Sequence, residues 1–135
     1  MVSRDDDAEP PGFPLPLHEL GTRVMNEVWE RDEITVREVL AAVNDGADKQ
    51  LAYTTIMTIM GRLHRRGMLS RERRGRTDVY RAAFSRDQYV GLRARAEVEA
   101  LVEQFGDTAL AHFADQVDSL DPERRVALKR LADRG

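Results

Sequence analysis

Three helix-forming segments that lead directly into a glycine-centred hairpin constrain the fold of this 135-residue chain more than any other feature. Apolar residues recur at three- and four-residue spacing around Leu17, Val36 and Ile56, as they do in amphipathic helices. Two short strand-like runs then flank Gly75, a residue type that readily adopts the backbone conformation of a tight turn. The order helix, helix, helix, hairpin predicts a mainly α fold with a winged helix-turn-helix domain over residues 15–84.

Capping and stop residues set the limits of these helices. Thr35 and Glu38 have the spacing of a capping box, which begins the second helix, and the residues at 44–46 stop it. We expect the third helix over residues 52–66, ending at Gly67 as a C-cap residue. The stretch between the second and third helices is longer than the tight turn of the simplest helix-turn-helix motifs, which favours the winged variety.

Outside this domain the sequence predicts a tail and three more helices. Residues 1–14 hold three consecutive aspartates and three prolines with little apolar content, which is typical of a disordered tail. Ser85 is the expected N-cap of a fourth helix that runs to Phe105. Gly106 separates it from a fifth helix, and the Asp-Pro pair at 121–122 begins a sixth.

The three C-terminal helices, in residues 85–135, are predicted to form a helical dimerisation region. Each is amphipathic and has few aromatic residues, so together they make a poor independent core. Intertwining with a second copy would bury both apolar sets, whereas folding back on the first domain would bury them within a monomer. We expect dimerisation, through Leu92, Val98, Leu101, Val102, Phe105, Leu110, Phe113, Val117, Leu128 and Leu131.

The net charge of −3 conceals an uneven distribution of charge along the chain. Ten basic residues lie between Lys49 and Arg86, opposed only by Glu72 and Asp78. Such a block indicates a surface that meets a polyanion, either nucleic acid or an anionic membrane surface. A solvated arginine-rich face would give the same pattern.

The third predicted helix has an apolar face and an opposite face of threonines and arginines. Its core-facing residues are Ile56, Ile59, Met60 and Leu63. Small hydroxyl side chains beside arginines suit close approach to a groove walled by phosphates, and threonine can offer its methyl or hydroxyl group to base edges. We expect base contacts from Thr54, Thr55 and Thr58, and phosphate contacts from Lys49, Arg62, Arg65, Arg74 and Arg76. Tyr53 either binds phosphate through its hydroxyl or packs against the core flank.

The sequence gives no sign of an enzyme or of a metal or cofactor site. The absence of cysteine excludes a disulfide scaffold, a thiol nucleophile and a cysteine-ligated metal. The three histidines lack metal-ligand spacing, and no nucleophile-elbow or phosphate-loop pattern occurs. No apolar run approaches the roughly 20 residues of a membrane span, and residues 1–16 have no signal-peptide core. We therefore expect a cytoplasmic protein without membrane insertion.

Several short motifs between Leu17 and Leu131 occur together in this chain. They are VMNEVW at 24–29, ITVREVL at 34–40, LAYTTIMT at 51–58, RLH at 62–64, Gly67, GR at 75–76 and VY at 79–80. In this combination they resemble the penicillinase repressor family (BlaI/MecI). The combination is far more specific than a single helix-turn-helix pattern.

The resemblance implies a homodimeric transcriptional repressor that binds palindromic operators ahead of β-lactam-resistance genes. It also implies that a membrane β-lactam sensor with a zinc protease domain ends repression by cutting the dimerisation region at an Asn-Phe pair. The matching pair here is His112-Phe113, with histidine in place of the asparagine. The Cys-x-Cys tail of copper-sensing relatives does not occur in this sequence.

Two other functions are compatible with the same fold. A winged helix can serve as the scaffold of a protein-interaction module, although the threonine and arginine face argues against that role. A ligand-gated regulator of another regulon would need an apolar pocket, which a sequence does not reveal. For Phe113, the alternative to a place in the cleavage pair is an ordinary aromatic residue of the core.

Overall fold

The computed structural model describes residues 17–134, and the predicted tail at 1–14 lies outside them. The described elements are α1 (Glu19–Trp29), α2 (Val36–Asn44), α3 (Tyr53–Arg65), β1 (Leu69–Arg74), β2 (Thr77–Ala82), α4 (Arg86–Phe105), α5 (Asp107–Asp118) and α6 (Pro122–Arg134). This order of helices with an antiparallel hairpin confirms the predicted fold class. By its internal contacts the chain divides into two compact units, the first ending at Ala94 and the second beginning at Arg95.

The core of the first unit forms where α1, α2, α3 and the hairpin meet. Its buried side chains are Val24, Met25, Val28, Ile34, Val36, Val39, Val43, Ile56, Met60, Leu63, Met68, Leu69, Val79 and Tyr80. The stripe predicted on α3 is therefore the face that packs inward, with Ile59 partly buried beside it. Burying each large aliphatic side chain stabilises the fold by about 1.5–3 kcal/mol before entropy is counted.

Local hydrogen bonds fix how the chain enters and leaves α2. Thr35 and Glu38 form the predicted capping box, since each side chain accepts a hydrogen bond from the other residue's backbone N–H, at 3.2 and 2.9 Å. At the other end the Asn44 amide bonds both backbone groups of Leu51, accepting at 2.8 Å and donating at 3.0 Å. This clasp closes the turn that leads into α3.

The C-terminus of α3 is a Schellman motif. Gly67 has a φ of +82°, a conformation that costs little only for glycine. The Met68 N–H donates to the Leu63 carbonyl at 2.8 Å, and the Gly67 N–H donates to the His64 carbonyl at 3.1 Å. The motif ends the helix at the predicted place and turns the chain directly into β1.

The hairpin β1–β2 has a two-residue turn at the place predicted for its glycine turn. Arg74 pairs with Thr77, so Gly75 and Arg76 form the loop. Gly75, the first residue of the loop, has a φ of +63°. Arg76, the second, does not have a positive φ, since among the described residues only glycines do. A positive φ at the first loop position alone is typical of a type II′ turn. An isolated bridge joins Ile34 to Tyr80 through two backbone hydrogen bonds of 2.9 and 2.8 Å, so β2 also pairs with the segment before α2.

An aromatic cluster connects α1 with the start of α4. The Trp29 indole donates to the Phe84 carbonyl at 2.9 Å, and its ring centroid lies 5.5 Å from that of Tyr89. Ser85 caps α4 as predicted, because the Gln88 N–H donates to its hydroxyl at 3.1 Å. The compact units divide inside α4, at 94/95, whereas the sequence suggested a domain limit at 84/85. The functional domain limits stay a prediction.

Candidate nucleic-acid interface

The outward face of α3 carries the threonines and arginines expected from the helical wheel. Thr54, Thr58, Arg62 and Arg65 are exposed, and Thr55 is partly buried. The sequence from Leu51 through Ser70 contains no carboxylate, so this face has no acidic side chain of its own helix to neutralise it. It presents small hydroxyl groups next to guanidinium groups, which suits contact with a polyanion.

Tyr53 begins α3 and keeps 40% of its surface exposed. The guanidinium carbon of Arg37, in the first turn of α2, lies 5.4 Å from the centroid of its ring. This is a cation–π geometry. The ring therefore lies at the surface against a cation. Its position is compatible with both predicted roles, phosphate binding through the hydroxyl and packing against the flank of the core.

A groove of about 400 Å³ runs between α3 and the hairpin. Tyr53 and Met57 line it from α3, Arg37 lines it from α2, and the hairpin contributes five of its residues. These five are Arg73, Arg76, Thr77, Asp78 and Tyr80. Three arginines therefore surround the groove together with a single carboxylate.

Two of these arginines, Arg37 and Arg73, were missed by the sequence reasoning. Arg37 lies between Thr35 and Glu38 of the capping box and precedes the basic block that begins at Lys49. Arg73 lies inside that block, where charge alone does not distinguish it from its neighbours. The signal that could have found it is strand alternation, since Arg73 and Arg74 must point to opposite faces of β1.

Arg74, which was predicted to bind phosphate, is paired in this structure with carboxylates. Its guanidinium makes a bidentate contact with Glu33, at 2.7 and 2.9 Å, and a third contact with Glu72 at 3.1 Å. Arg81 also donates to Glu33, at 2.9 Å. The cluster joins the hairpin to the segment between α1 and α2.

The cluster shifts the pKa values of its members. Hydrogen bonds from Arg74 and then from Arg81 lower the pKa of the Glu33 carboxyl from 4.5 to about 2. Hydrogen bonds to Glu33 and Glu72 raise the pKa of Arg74. Both effects favour the charged forms, so the contact is fully ionised at neutral pH.

The remaining predicted phosphate contacts are exposed. Arg76 at the hairpin tip has no hydrogen bond or ion pair among residues 17–134, and the same holds for Lys49 in the loop before α3. Arg73, next to the tip, is held at 3.3 Å from Asp78 and donates to the Gly75 carbonyl at 3.2 Å. The structure thus separates a paired arginine, Arg74, from an unpaired one, Arg76, within the same turn.

The helices α4, α5 and α6, most of which belong to the second unit, present apolar side chains at their surface. No residue of α4, α5 or α6 is buried within the single chain. Of the residues predicted to dimerise, Val102 and Phe113 are partly buried. The other eight are exposed: Leu92, Val98, Leu101, Phe105, Leu110, Val117, Leu128 and Leu131. The proposed cleavage pair, His112 and Phe113, lies inside the helix α5.

Other kinds of site find little support in the described part of the chain. No helix within residues 17–134 is both long and apolar enough to cross a membrane. The same residues contain no group of three or more potential metal ligands. A mostly apolar pocket of about 210 Å³ lies between α1 and α3, lined by Leu17, Leu20, Ile59 and Leu63 among others. It is smaller than the roughly 300–1,000 Å³ usual for small-molecule sites.

Known proteins resemble this chain over both compact units. The family model described as penicillinase repressor matches residues 17–134. The transcriptional regulator BlaI of Mycobacterium tuberculosis, from strains CDC 1551 / Oshkosh and ATCC 25618 / H37Rv, is 35% identical over 123 residues, which cover 88% of each chain. The solution structure of the DNA binding domain of the repressor BlaI matches with a TM-score of 0.48 and 25% identity, covering 54% of this chain and 87% of that one.

Proposed function

The chain belongs to the penicillinase repressor family, as its motifs suggested, and we propose on this premise that it represses transcription by binding duplex DNA as a homodimer. Members of the family are transcriptional regulators and not enzymes. The observation that carries the proposal is the exposed face of α3, which combines threonines with arginines and contains no carboxylate.

In this proposal phosphate contacts supply most of the affinity. Lys49, Arg62, Arg65 and Arg76 are exposed and surround α3 or project from the hairpin tip. Neutralising phosphates releases condensed counterions, so binding weakens steeply with salt. Arg74 joins this set only if it exchanges Glu33 for a phosphate, because its guanidinium is already bidentate on that carboxylate.

Base contacts are assigned to Thr54, Thr55 and Thr58. A threonine offers one methyl group and one hydroxyl group, so each contact discriminates weakly between bases. Specificity therefore needs two half-sites read at a fixed separation. A symmetric dimer would place its two α3 helices about 34–36 Å apart, or a multiple of that distance, over a palindromic operator.

Dimerisation is assigned to the exposed apolar residues of α4, α5 and α6. A unit of about 40 residues rarely folds stably without a staple or a partner, and this one buries none of its residues alone. A second copy of the same helices supplies the missing apolar contacts with closed twofold symmetry. Each dimer then presents two DNA-binding faces.

We further propose that the regulated genes concern β-lactam resistance and that a membrane sensor-protease ends repression in the cytoplasm. Cleavage at His112-Phe113 would remove α6 and part of α5 from the dimer. Because this bond lies inside a helix, the protease would have to unwind α5 locally or act on a transiently open form.

A salt titration of duplex binding tests the DNA contact. The affinity of the intact chain should fall steeply between 50 and 200 mM salt, as expected for several phosphate contacts. Arg76→Ala should weaken binding to all sequences and flatten the salt slope by about one unit for each bound protomer. Arg95→Ala, a matched loss of charge on α4 where Arg95 pairs with Glu99, should leave the slope as it is. An unchanged slope in Arg76→Ala would remove the hairpin tip from the contact.

A chain that ends at His112 tests the regulatory step. Without α6 the protomers should bind singly and lose the bivalent gain, which reaches roughly 10²–10⁴ in affinity. The intact chain on the same duplex is the reference. Equal operator affinity of the two chains would contradict inactivation by cleavage.

A ligand-gated regulator of another regulon is the alternative. The pocket between α1 and α3 favours it only weakly because of its small volume. Mapping the bound sites across the genome would show which genes are regulated. A thermal-shift screen of small molecules would show whether any of them binds the intact chain directly.

A further inference from the structure

Arg37 is an exposed arginine that the sequence-based site does not include. It follows Thr35 and Val36 in the first turn of α2, and its guanidinium lies over the ring of Tyr53. Other arginines of this region are held by carboxylates, such as Arg31 by Glu27. Within residues 17–134 Arg37 makes no such ion pair, so its charge is available to a partner.

The contact with Tyr53 gives this charge a fixed place. A planar guanidinium stacks well on an aromatic face, and an ordered side chain loses less entropy when it binds. Tyr53 is 40% exposed, so its ring remains at the surface, where the Arg37 guanidinium lies over it. Both side chains line the groove between α3 and the hairpin, and the ring acts as a platform that holds Arg37 there.

The opposite wall of the groove is also cationic. Arg73 and Arg76 line it from the hairpin, with Asp78 as the single carboxylate. The groove also receives the side chains of Thr77 and of Tyr53, both of which carry hydroxyl groups. A space of about 400 Å³ with positive walls fits an extended polyanionic strand that lies between the third helix and the hairpin.

We propose that Arg37 binds a backbone phosphate of duplex DNA in this groove and that Tyr53 is its positioning residue. The proposal rests on the proposed function, since it names a further contact of the same interface. It assigns the ring of Tyr53, and not its hydroxyl group, as the part that matters for binding. The contact is electrostatic and carries no base preference.

A mutant cycle on the intact chain tests this assignment by duplex-binding titrations at several salt concentrations. Arg37→Gln should reduce affinity about fivefold for each bound protomer near 0.15 M salt, which follows from a slope of about 0.9 for each phosphate. Tyr53→Ala should reduce it by a similar factor, and the double variant by clearly less than the product of the two. Tyr53→Phe should lose less affinity than Tyr53→Ala. Arg95→Ala is the matched control for the loss of charge.

Each opposite result would overturn part or all of the proposal. A wild-type salt slope in Arg37→Gln would show that Arg37 binds no phosphate. Equal losses in Tyr53→Phe and Tyr53→Ala would assign the contact to the tyrosine hydroxyl, and independent losses in the double variant would break the link between the two residues. Circular dichroism verifies that each variant is folded.

Two results separate this inference from the proposed function. If the unmodified chain shows no salt-dependent duplex binding, the proposed function fails together with the inference. If the unmodified chain binds duplex normally while Arg37→Gln binds with the same affinity and slope, only the inference fails. Tighter binding of the unmodified chain to phosphatidylserine vesicles than to duplex would show that the groove binds an anionic membrane surface and not DNA.

Discussion

The two compact units of this chain differ in how far they bury their apolar side chains. The first unit closes a core from α1, α2, α3 and the hairpin, with Val24, Met25, Val28, Ile56 and Met60 fully buried. The second unit buries none of its residues within one chain and leaves most of its large aliphatic side chains exposed. Exposed apolar surface of this extent indicates an interaction site. The first unit therefore buries its apolar side chains by itself, whereas the exposed side chains of the second unit are the basis for the dimer that we propose.

The largest expected effect comes from placing a charge among the exposed apolar residues of the second unit. Leu101→Lys should convert dimers into monomers and reduce operator affinity by roughly 10²–10⁴, the range of a lost bivalent gain. The added positive charge would by itself favour DNA, so a loss of affinity cannot come from the charge. Sedimentation velocity measures the association and a duplex titration measures the affinity.

Glu103→Lys is the control for this variant, because it introduces the same residue at an exposed position of α4 that already carries a charge. It should leave the association state unchanged. Monomers in the wild-type chain, or dimers that persist in Leu101→Lys, would contradict the contrast between the two units.

The next effect concerns the first unit alone. Met60→Ala removes a fully buried side chain of α3 and should lower the free energy of unfolding by about 2–5 kcal/mol. Met57→Ala, on the same helix but 45% exposed, should change it by no more than about 0.5 kcal/mol. Urea titrations followed by the fluorescence of Trp29 measure this unit, because the chain has one tryptophan. A Met60→Ala effect that varies with protein concentration would mean that the first unit also depends on a partner.

The smallest effect is a pH dependence in the contact that holds the hairpin to the segment between α1 and α2. Glu33 has a pKa of about 2 in the folded chain, below its ordinary value of 4.5. A lowered folded pKa gives stabilisation above the unfolded value that is lost as the pH falls from about 4.5 towards 2. The wild-type chain should therefore exceed Glu33→Gln in urea midpoint at pH 6, and the difference should shrink through that window. A constant difference from pH 6 to pH 2 would show that the Glu33 charge makes no contribution.

Local sequence signals predicted most of the fold. The capping box at Thr35, the stop at Gly67, the turn at Gly75 and the cap at Ser85 each depend on residues close in sequence, and all four occur where they were expected. The bridge between Ile34 and its β2 partner was missed, because pairing between residues far apart in sequence leaves no local signal.

The candidate site was less predictable for the same reason. The helical wheel assigned the outward face of α3 correctly, since that depends only on periodicity. The helical wheel could not show that Arg74 forms an ion pair with Glu33, or that the Arg37 guanidinium lies over the ring of Tyr53. Each of those contacts joins separate elements, and a charge count treats all arginines of a block alike.

The central claim, that a dimer of this chain binds two half-sites on duplex DNA, is tested most directly by hydroxyl-radical footprinting. The duplex is first selected by the intact chain from random sequences, and the footprint is recorded at low ionic strength. The account predicts two protected patches whose centres are separated by one helical turn, about 34–36 Å, or a multiple of it. A single protected patch, or no protection at all, would contradict a repressor whose second unit joins two DNA-binding first units.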